Sequence, residues 1–126
     1  MLKITQTDKA PAAIGPYSQA VSCGGFLFLS GQIPLDPATG EVCGADIAAQ
    51  AERVMKNIGA ILEANGAAYT DVVKTTCFLA DMADFSVFNE IYAKYFTGRP
   101  ARSCVAVRQL PRGVLVEVET IAALKG

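Results

Sequence analysis

The stretch Val114-Leu-Val-Glu-Val-Glu-Thr-Ile-Ala122 constrains the fold more than any other part of this chain. Side chains alternate across a strand, so Val114, Val116 and Val118 form one row. Leu115, Glu117, Glu119 and Ile121 form the other. A strand with one wet face carries one polar row, and here neither row is solvent-like. Such a strand belongs in a sheet whose one face is covered by the chain's own helices and whose other face needs a partner. Glu117 and Glu119 share a row with leucine and isoleucine. A carboxylate in such surroundings requires a partner or a raised pKa.

The helices that supply the first cover are legible. Ile47, Ala51, Val54, Ile58, Ile61 and Leu62 recur at helical spacing behind Asp46, a suitable N-cap, and Asn65-Gly66 is a stop signal. A second helix is expected from about Asp84, with Asp81 as a rival cap. Its aromatic stripe is Phe85, Phe88, Tyr92, Tyr95 and Phe96, and Gly98 is the expected terminator. Apolar runs around Gly24-Gly25 read as a hairpin, and Phe26 to Leu29 is apolar on both faces, so it is expected to be covered on both. Asp36-Pro-Ala-Thr-Gly40 reads as a tight loop. Asp71 to Ala80 and Ser103 to Val107 complete the strands, and Leu110-Pro-Arg-Gly113 is a turn before the last one. The order is strand, strand, helix, strand, helix, strand, strand, in an α+β arrangement without repeats or linkers.

With 126 residues, the chain has room for one domain, expected to span 1–126. It is 52% hydrophobic with a mean hydropathy of +0.32. Small domains bury a lower fraction of their surface, so the apolar excess calls for cover by another copy. Lys and Arg number 11 against 12 Asp and Glu. No basic field therefore invites nucleic acid or an anionic membrane. No segment has the length of a membrane span or the form of a secretory signal, and the expected location is the cytoplasm. Cys23, Cys43, Cys77 and Cys104 form no Cys-x-x-Cys and are expected to be free thiols. There is no histidine. Ser-His-Asp, Cys-His and histidine acid/base chemistry are excluded, and no clustered set of metal ligands is visible.

Few residues remain for chemistry. Arg102, just after Pro100, is either an exposed surface arginine or a bidentate carboxylate binder, since its planar fork never loses its charge. Glu117, mid-strand between valines, is either a base or half of a structural ion pair. Cys104 shares the strand face of Arg102 and reads best as a small buried hydrophobe, because no histidine is present to activate it. Tyr17 and Ser30 flank glycine-containing turns and are either ordinary loop residues or hydroxyls for a ligand. The aromatic stripe reads as core, not as a base-stacking platform.

Several motifs occur in one order along nearly the whole chain: Ala12-Ala-Ile-Gly-Pro-Tyr-Ser-Gln-Ala, Ser30-Gly-Gln-Ile-Pro, Gln50 to Gly66, Val73-Lys-Thr-Thr, Phe88-Asn-Glu-Ile-Tyr, Pro100-Ala-Arg-Ser-Cys-Val and Leu110-Pro to Ile121. Together they resemble the Rid, or YjgF-type, family and its RidA-like branch. The resemblance implies a chorismate-mutase-like subunit with a six-stranded mixed sheet and two helices on one face. It also implies a homotrimer with a central β-barrel and clefts at the subunit interfaces. RidA-like members hydrolyse reactive enamines and imines such as 2-aminoacrylate and 2-aminocrotonate to 2-keto acids and ammonia, without metal or cofactor. By this resemblance Arg102 binds the substrate carboxylate and Glu117 orients or activates water. Tyr17, Ser30, Gly31, Asn89 and Cys104 line the cleft. Thr97-Gly-Arg-Pro is shorter, and Val42-Cys-Gly-Ala longer, than the family pattern, which bears on the cleft mouth. Two other activities belong to the same resemblance: non-catalytic sensing of small 2-keto acids, and an L-PSP-type endoribonuclease. The absent histidine, the missing basic patch and a pI near 5.3 argue against the ribonuclease.

Overall fold

The computed structural model describes residues 2–125. Six strands and two α-helices follow in the order β1 (Lys3–Thr5), β2 (Ala20–Cys23), β3 (Phe26–Gln32), α1 (Ile47–Ala64), β4 (Val72–Leu79), α2 (Phe85–Tyr95), β5 (Ala101–Ala106) and β6 (Val116–Ala123). They form one mixed sheet of order β1-β2-β3-β6-β4-β5, antiparallel except for the parallel β4–β5 pair. The expected α+β architecture is therefore present. The sixth strand, β1, is invisible to periodicity because it is three residues long. Its pairing to β2, with Ile4 opposite Val21, makes it a strand.

Local chemistry explains the elements. Gly24 and Gly25 take φ of 61° and 82°, the left-handed pair that a two-residue hairpin needs. Asp46 Oδ1 accepts from Ala49 N–H at 2.9 Å and caps α1. Gly66, at φ 70°, follows the C-cap Asn65. The second helix starts at Phe85, as expected, but departs from expectation in its cap and at its end. Asp81, not Asp84, makes the cap bond, to Ala83 N–H at 2.9 Å, and it opens a 3-10 turn (Met82–Asp84) that feeds α2. At the other end the helix stops at Tyr95, and the left-handed residue after it is Arg99 at φ 56°, not Gly98. Strand β5 begins at Ala101, two residues before the expected Ser103, because its parallel pairing to Lys74 starts immediately after Pro100. Strand β6 begins at Val116, two residues after the expected Val114, behind a short turn (Pro111–Gly113).

The core lies between the sheet and the helices. Val54, Met55, Ile58 and Ile61 of α1 and Phe88 of α2 are wholly buried against Leu27, Leu79, Val116 and Val118. Each such side chain contributes about 1.5–3 kcal/mol on leaving water. The opposite face of the sheet is bare within one chain. Ile4, Val21, Phe28 and Ile121 form one register row across β1, β2, β3 and β6. Ile4 is 66% exposed, Phe26 43% and Phe28 45%. The expectation that β3 is covered on both faces holds for Leu27 and Leu29 only; the phenylalanine side has no cover within the chain. No helix among the described residues is long and apolar enough to cross a membrane.

Candidate active site

The candidate residues fall into two groups. Tyr17, Ser30, Gly31 and Glu117 line one groove of about 540 Å³ on the bare side of the sheet. Arg102, Asn89 and Cys104 lie on the helix side, at the outer strand.

The groove owes its shape to a β-bulge. Leu29 pairs with Thr120 and Gln32 with Val118, so β3 spends one residue more than β6 between the two pairs. The extra residue reverses the alternation of β3, and Gly31 comes to face Glu117. Bulges re-aim side chains in this way. The contact requires glycine: a Cβ on Gly31 would stand 2.9 Å from Glu117 Cδ and closer still to Oε2. The backbone is not the constraint here, since Gly31 does not have positive φ. Space is.

Glu117 is half-buried, and its carboxyl is pushed above its ordinary value, first by desolvation and then by the neighbouring charge of Glu119. No salt bridge to Glu117 is found among the described residues. Ser30 donates its hydroxyl to Ser18 C=O at 2.6 Å, and its N–H bonds to Gln19 C=O at 3.0 Å. With its proton committed, Ser30 Oγ is left with lone pairs for a ligand N–H or O–H. Tyr17 is half-exposed at the groove wall.

Two groove residues escaped the sequence reading. Gln19, 4% exposed, accepts from Thr7 N–H at 2.7 Å and donates to the carbonyls of Thr7, Ala10 and Pro11. It thereby pins the segment that forms the wall beside Tyr17. Its signal was its place in Gly15-Pro-Tyr-Ser-Gln19, a polar side chain next to a buried alanine. Arg112 stands at the rim with φ 58°, donates to Gly40 C=O at 2.7 Å and lies 4.0 Å from Glu41. It holds the 36–41 loop to the turn before β6, and only the turn composition hinted at it.

On the other side, Arg102 is not an idle surface arginine. Its Nη1 donates to Asn89 Oδ1 at 2.7 Å, and its guanidinium carbon lies 4.7 Å from the Tyr92 ring centroid and 5.5 Å from that of Phe85. The aromatic stripe of α2, read as core, thus also provides a shelf for the guanidinium. Cation–π contact and one amide bond fix the fork while leaving donors free. Tyr92 is itself fixed by a 2.6 Å bond to the buried Thr75 hydroxyl. Cys104, two residues along, is part-buried, and desolvation raises its thiol pKa despite the nearby Arg102 charge.

Arg102 and Glu117 do not meet within one chain. Strand β4 lies between β5 and β6, and the two side chains leave the sheet on opposite faces. Phe78, not Thr75, pairs with Glu117, whereas Thr75 pairs with Arg102. The sheet thus displays the Glu117 carboxyl in a groove on one face and the Arg102 guanidinium at the edge of the other.

Comparison with known proteins agrees with this architecture. A family model described as Endoribonuclease L-PSP matches residues 7–124. A mouse protein named 2-iminobutanoate/2-iminopropanoate deaminase is 50% identical over 121 residues, which cover 95% of this chain and 90% of that one. A putative endoribonuclease from Thermotoga maritima superposes with a TM-score of 0.95 at 54% identity, covering 98% of each chain. A protein of the conserved Rid family from Yersinia pestis gives a TM-score of 0.96 at 47% identity over 98% of this chain and all of that one.

Proposed function

The chain belongs to the Endoribonuclease L-PSP family, the YjgF/Rid proteins, and from that premise we propose that it hydrolyses 2-imino acids and their enamine tautomers to 2-keto acids and ammonia. The observation that carries this reading is the half-buried Glu117 carboxyl lying against Gly31 in a groove, with a raised pKa and no ion-pair partner among the described residues. A carboxyl whose charged form is disfavoured in this way takes up a proton more readily than an ordinary one, as a general base must.

The site is completed by a second copy. Arg102 of one chain supplies the carboxylate clamp for the groove of the next. Three features of the single chain support this: the opposite-face placement of Arg102 and Glu117, the bare apolar row through Phe28, and the outer edge of β5, where Val105 is 45% exposed. An unpaired strand edge beside an apolar face is a ready docking surface. Three copies arranged around their bare sheets, as in a homotrimer with a central barrel, cover all three surfaces.

The chemistry then runs as follows. Arg102 binds the carboxylate of the substrate. The enamine takes a proton from water on its terminal carbon, gives one up from its nitrogen and becomes the imine. Water attacks the imine carbon as Glu117 accepts its proton, and the C=N electron pair moves to nitrogen. Glu117 returns the proton to that nitrogen and then carries the hydroxyl proton of the adduct to it as well; the C–N bond breaks, and ammonia leaves as the carbonyl forms. Ser30 Oγ accepts from the N–H groups of the substrate. A positioned base contributes roughly 10²–10⁴-fold. Removing the arginine from a bound carboxylate costs about 2–5 kcal/mol.

The test is ammonia and pyruvate release from 2-aminoacrylate generated in situ. Wild type accelerates it, Glu117→Gln loses most of the acceleration, and Arg102→Ala requires far higher substrate. Full activity in Arg102→Ala rejects the clamp. A wild-type protein that binds 2-ketobutyrate by calorimetry yet accelerates nothing is a sensor, not a deaminase.

A further inference from the structure

Cys77 and Cys104 are direct partners in the parallel β4–β5 pairing. Neighbouring strands run about 4.8 Å apart, inside the roughly 4.4–6.8 Å that a disulfide spans between Cα atoms. In-register residues of paired strands point to one face, and here that is the helix face. Cys77 is fully buried there and Cys104 part-buried at the outer strand. Cys23 and Cys43 lie far away in the fold, at the β2–β3 hairpin and in the loop before α1.

This pair adjoins the arginine clamp by two routes. Cys104 is two residues from Arg102 on the same strand face. Cys77 Sγ donates to Thr75 Oγ1 at 3.9 Å, Thr75 shares a 2.6 Å bond with the Tyr92 phenol, and the Tyr92 ring lies under the Arg102 guanidinium. Drawing the two sulfurs into bonding distance displaces side chains on which that guanidinium rests.

We propose that Cys104 and Cys77 form a reversible modification site for hydroperoxides, whose disulfide weakens the Arg102 clamp. The Cys104 sulfur attacks one peroxide oxygen. The O–O bond breaks, leaving a sulfenic acid and, with the proton of the thiol, one water or alcohol. The Cys77 sulfur then attacks the Cys104 sulfur. The S–O bond breaks, a water leaves with the proton of Cys77, and the disulfide closes. The two thiols are oxidised by two electrons and the peroxide is reduced by two. A thiol reductant reopens the bridge by exchange at the sulfur of the part-buried Cys104. Burial holds both thiols high, Cys77 up to about 12, so the resting pair stays protonated and responds to sustained rather than trace oxidant.

The modification stands apart from the proposed deaminase; only its effect on ligand binding rests on the Arg102 clamp of that reading. The experiment treats the full chain with hydrogen peroxide, then maps it by non-reducing peptide mass spectrometry and titrates it with 2-ketobutyrate by calorimetry. The expected result is a peptide joining Cys77 to Cys104 and a several-fold loss of affinity that dithiothreitol reverses. Cys77→Val, which keeps bulk without sulfur, forms no bridge and has the same affinity after treatment as before it. Four free thiols after treatment, a bridge in another pairing, or a reversible loss that persists in Cys77→Val overturns the proposal. A mapped Cys77–Cys104 bridge in a protein without deaminase activity rejects the proposed function and leaves the modification site in place.

Discussion

Gly31→Ala separates the site from the fold. An added Cβ stands 2.9 Å from Glu117 Cδ and 3.1 Å from Cγ, against 3.4–4 Å for ordinary contact. Cδ must therefore retreat by 3.4 − 2.9 = 0.5 Å, and the carboxylate oxygen nearest the intruding carbon must retreat further. The atoms that move are the far end of a flexible side chain, so the cost in stability is small. Without positive φ at Gly31, alanine also gains about 0.4–1 kcal/mol from the unfolded state. The melting temperature should stay level or rise by a few degrees. Activity should not: misplacing a catalytic group by about 1 Å costs on the order of 10²-fold. Imine hydrolysis is measured beside thermal melting, with kcat and KM resolved. The expected loss lies in kcat, with KM little changed, since Arg102 is untouched. Wild-type kcat in Gly31→Ala refutes the assignment of Glu117 as the base, and a collapse in melting temperature shows that the Glu117 side chain cannot yield to the added Cβ.

Three further outcomes follow from particular contacts. Asn89→Ala removes the 2.7 Å bond that holds Arg102 and should raise KM several-fold with kcat nearly unchanged, while circular dichroism stays constant. Glu117 has a folded pKa above its ordinary 4.5, so the fold binds its proton more tightly than the unfolded chain does. Its contribution to stability is present below that ordinary value and is lost as pH rises through the folded pKa; melting temperatures across a pH series should fall in that window for wild type and not for Glu117→Gln. Arg99 holds φ 56° immediately before Pro100, a conformation unfavourable for a side-chain-bearing residue. Arg99→Gly should raise the denaturation midpoint by roughly 1 kcal/mol equivalent, and no gain would show that the turn is not strained.

Much of this architecture is written in local patterns. The stripe from Ile47 to Leu62 and the Asp46 cap fix α1, and the two rows of β6 announce both the core face and the face that one chain leaves bare. The errors arise where tertiary pairing decides. Strand β1 exists only through β2. Strand β5 starts early because β4 offers partners from Lys74 onward. The choice of Asp81 over Asp84 depends on a 3-10 turn that spacing cannot distinguish from the helix start. At the site, Arg102 and Glu117 were legible as residue types, but their opposite faces were not. That relation needs the register of β4 against both β5 and β6. The role of Gly31 needs the bulge, a two-against-one count across strands that neither strand shows alone.

The claim that two copies build each site is tested most directly by mixing. Arg102→Ala and Glu117→Ala chains, each inactive alone, are unfolded together, refolded and assayed for imine hydrolysis. If one chain supplies the clamp and the next the base, random assembly places both intact residues at roughly a quarter of the interfaces, and activity returns to about that fraction of wild type. If both residues serve the same chain's site, every site in the mixture lacks one of them and no activity returns.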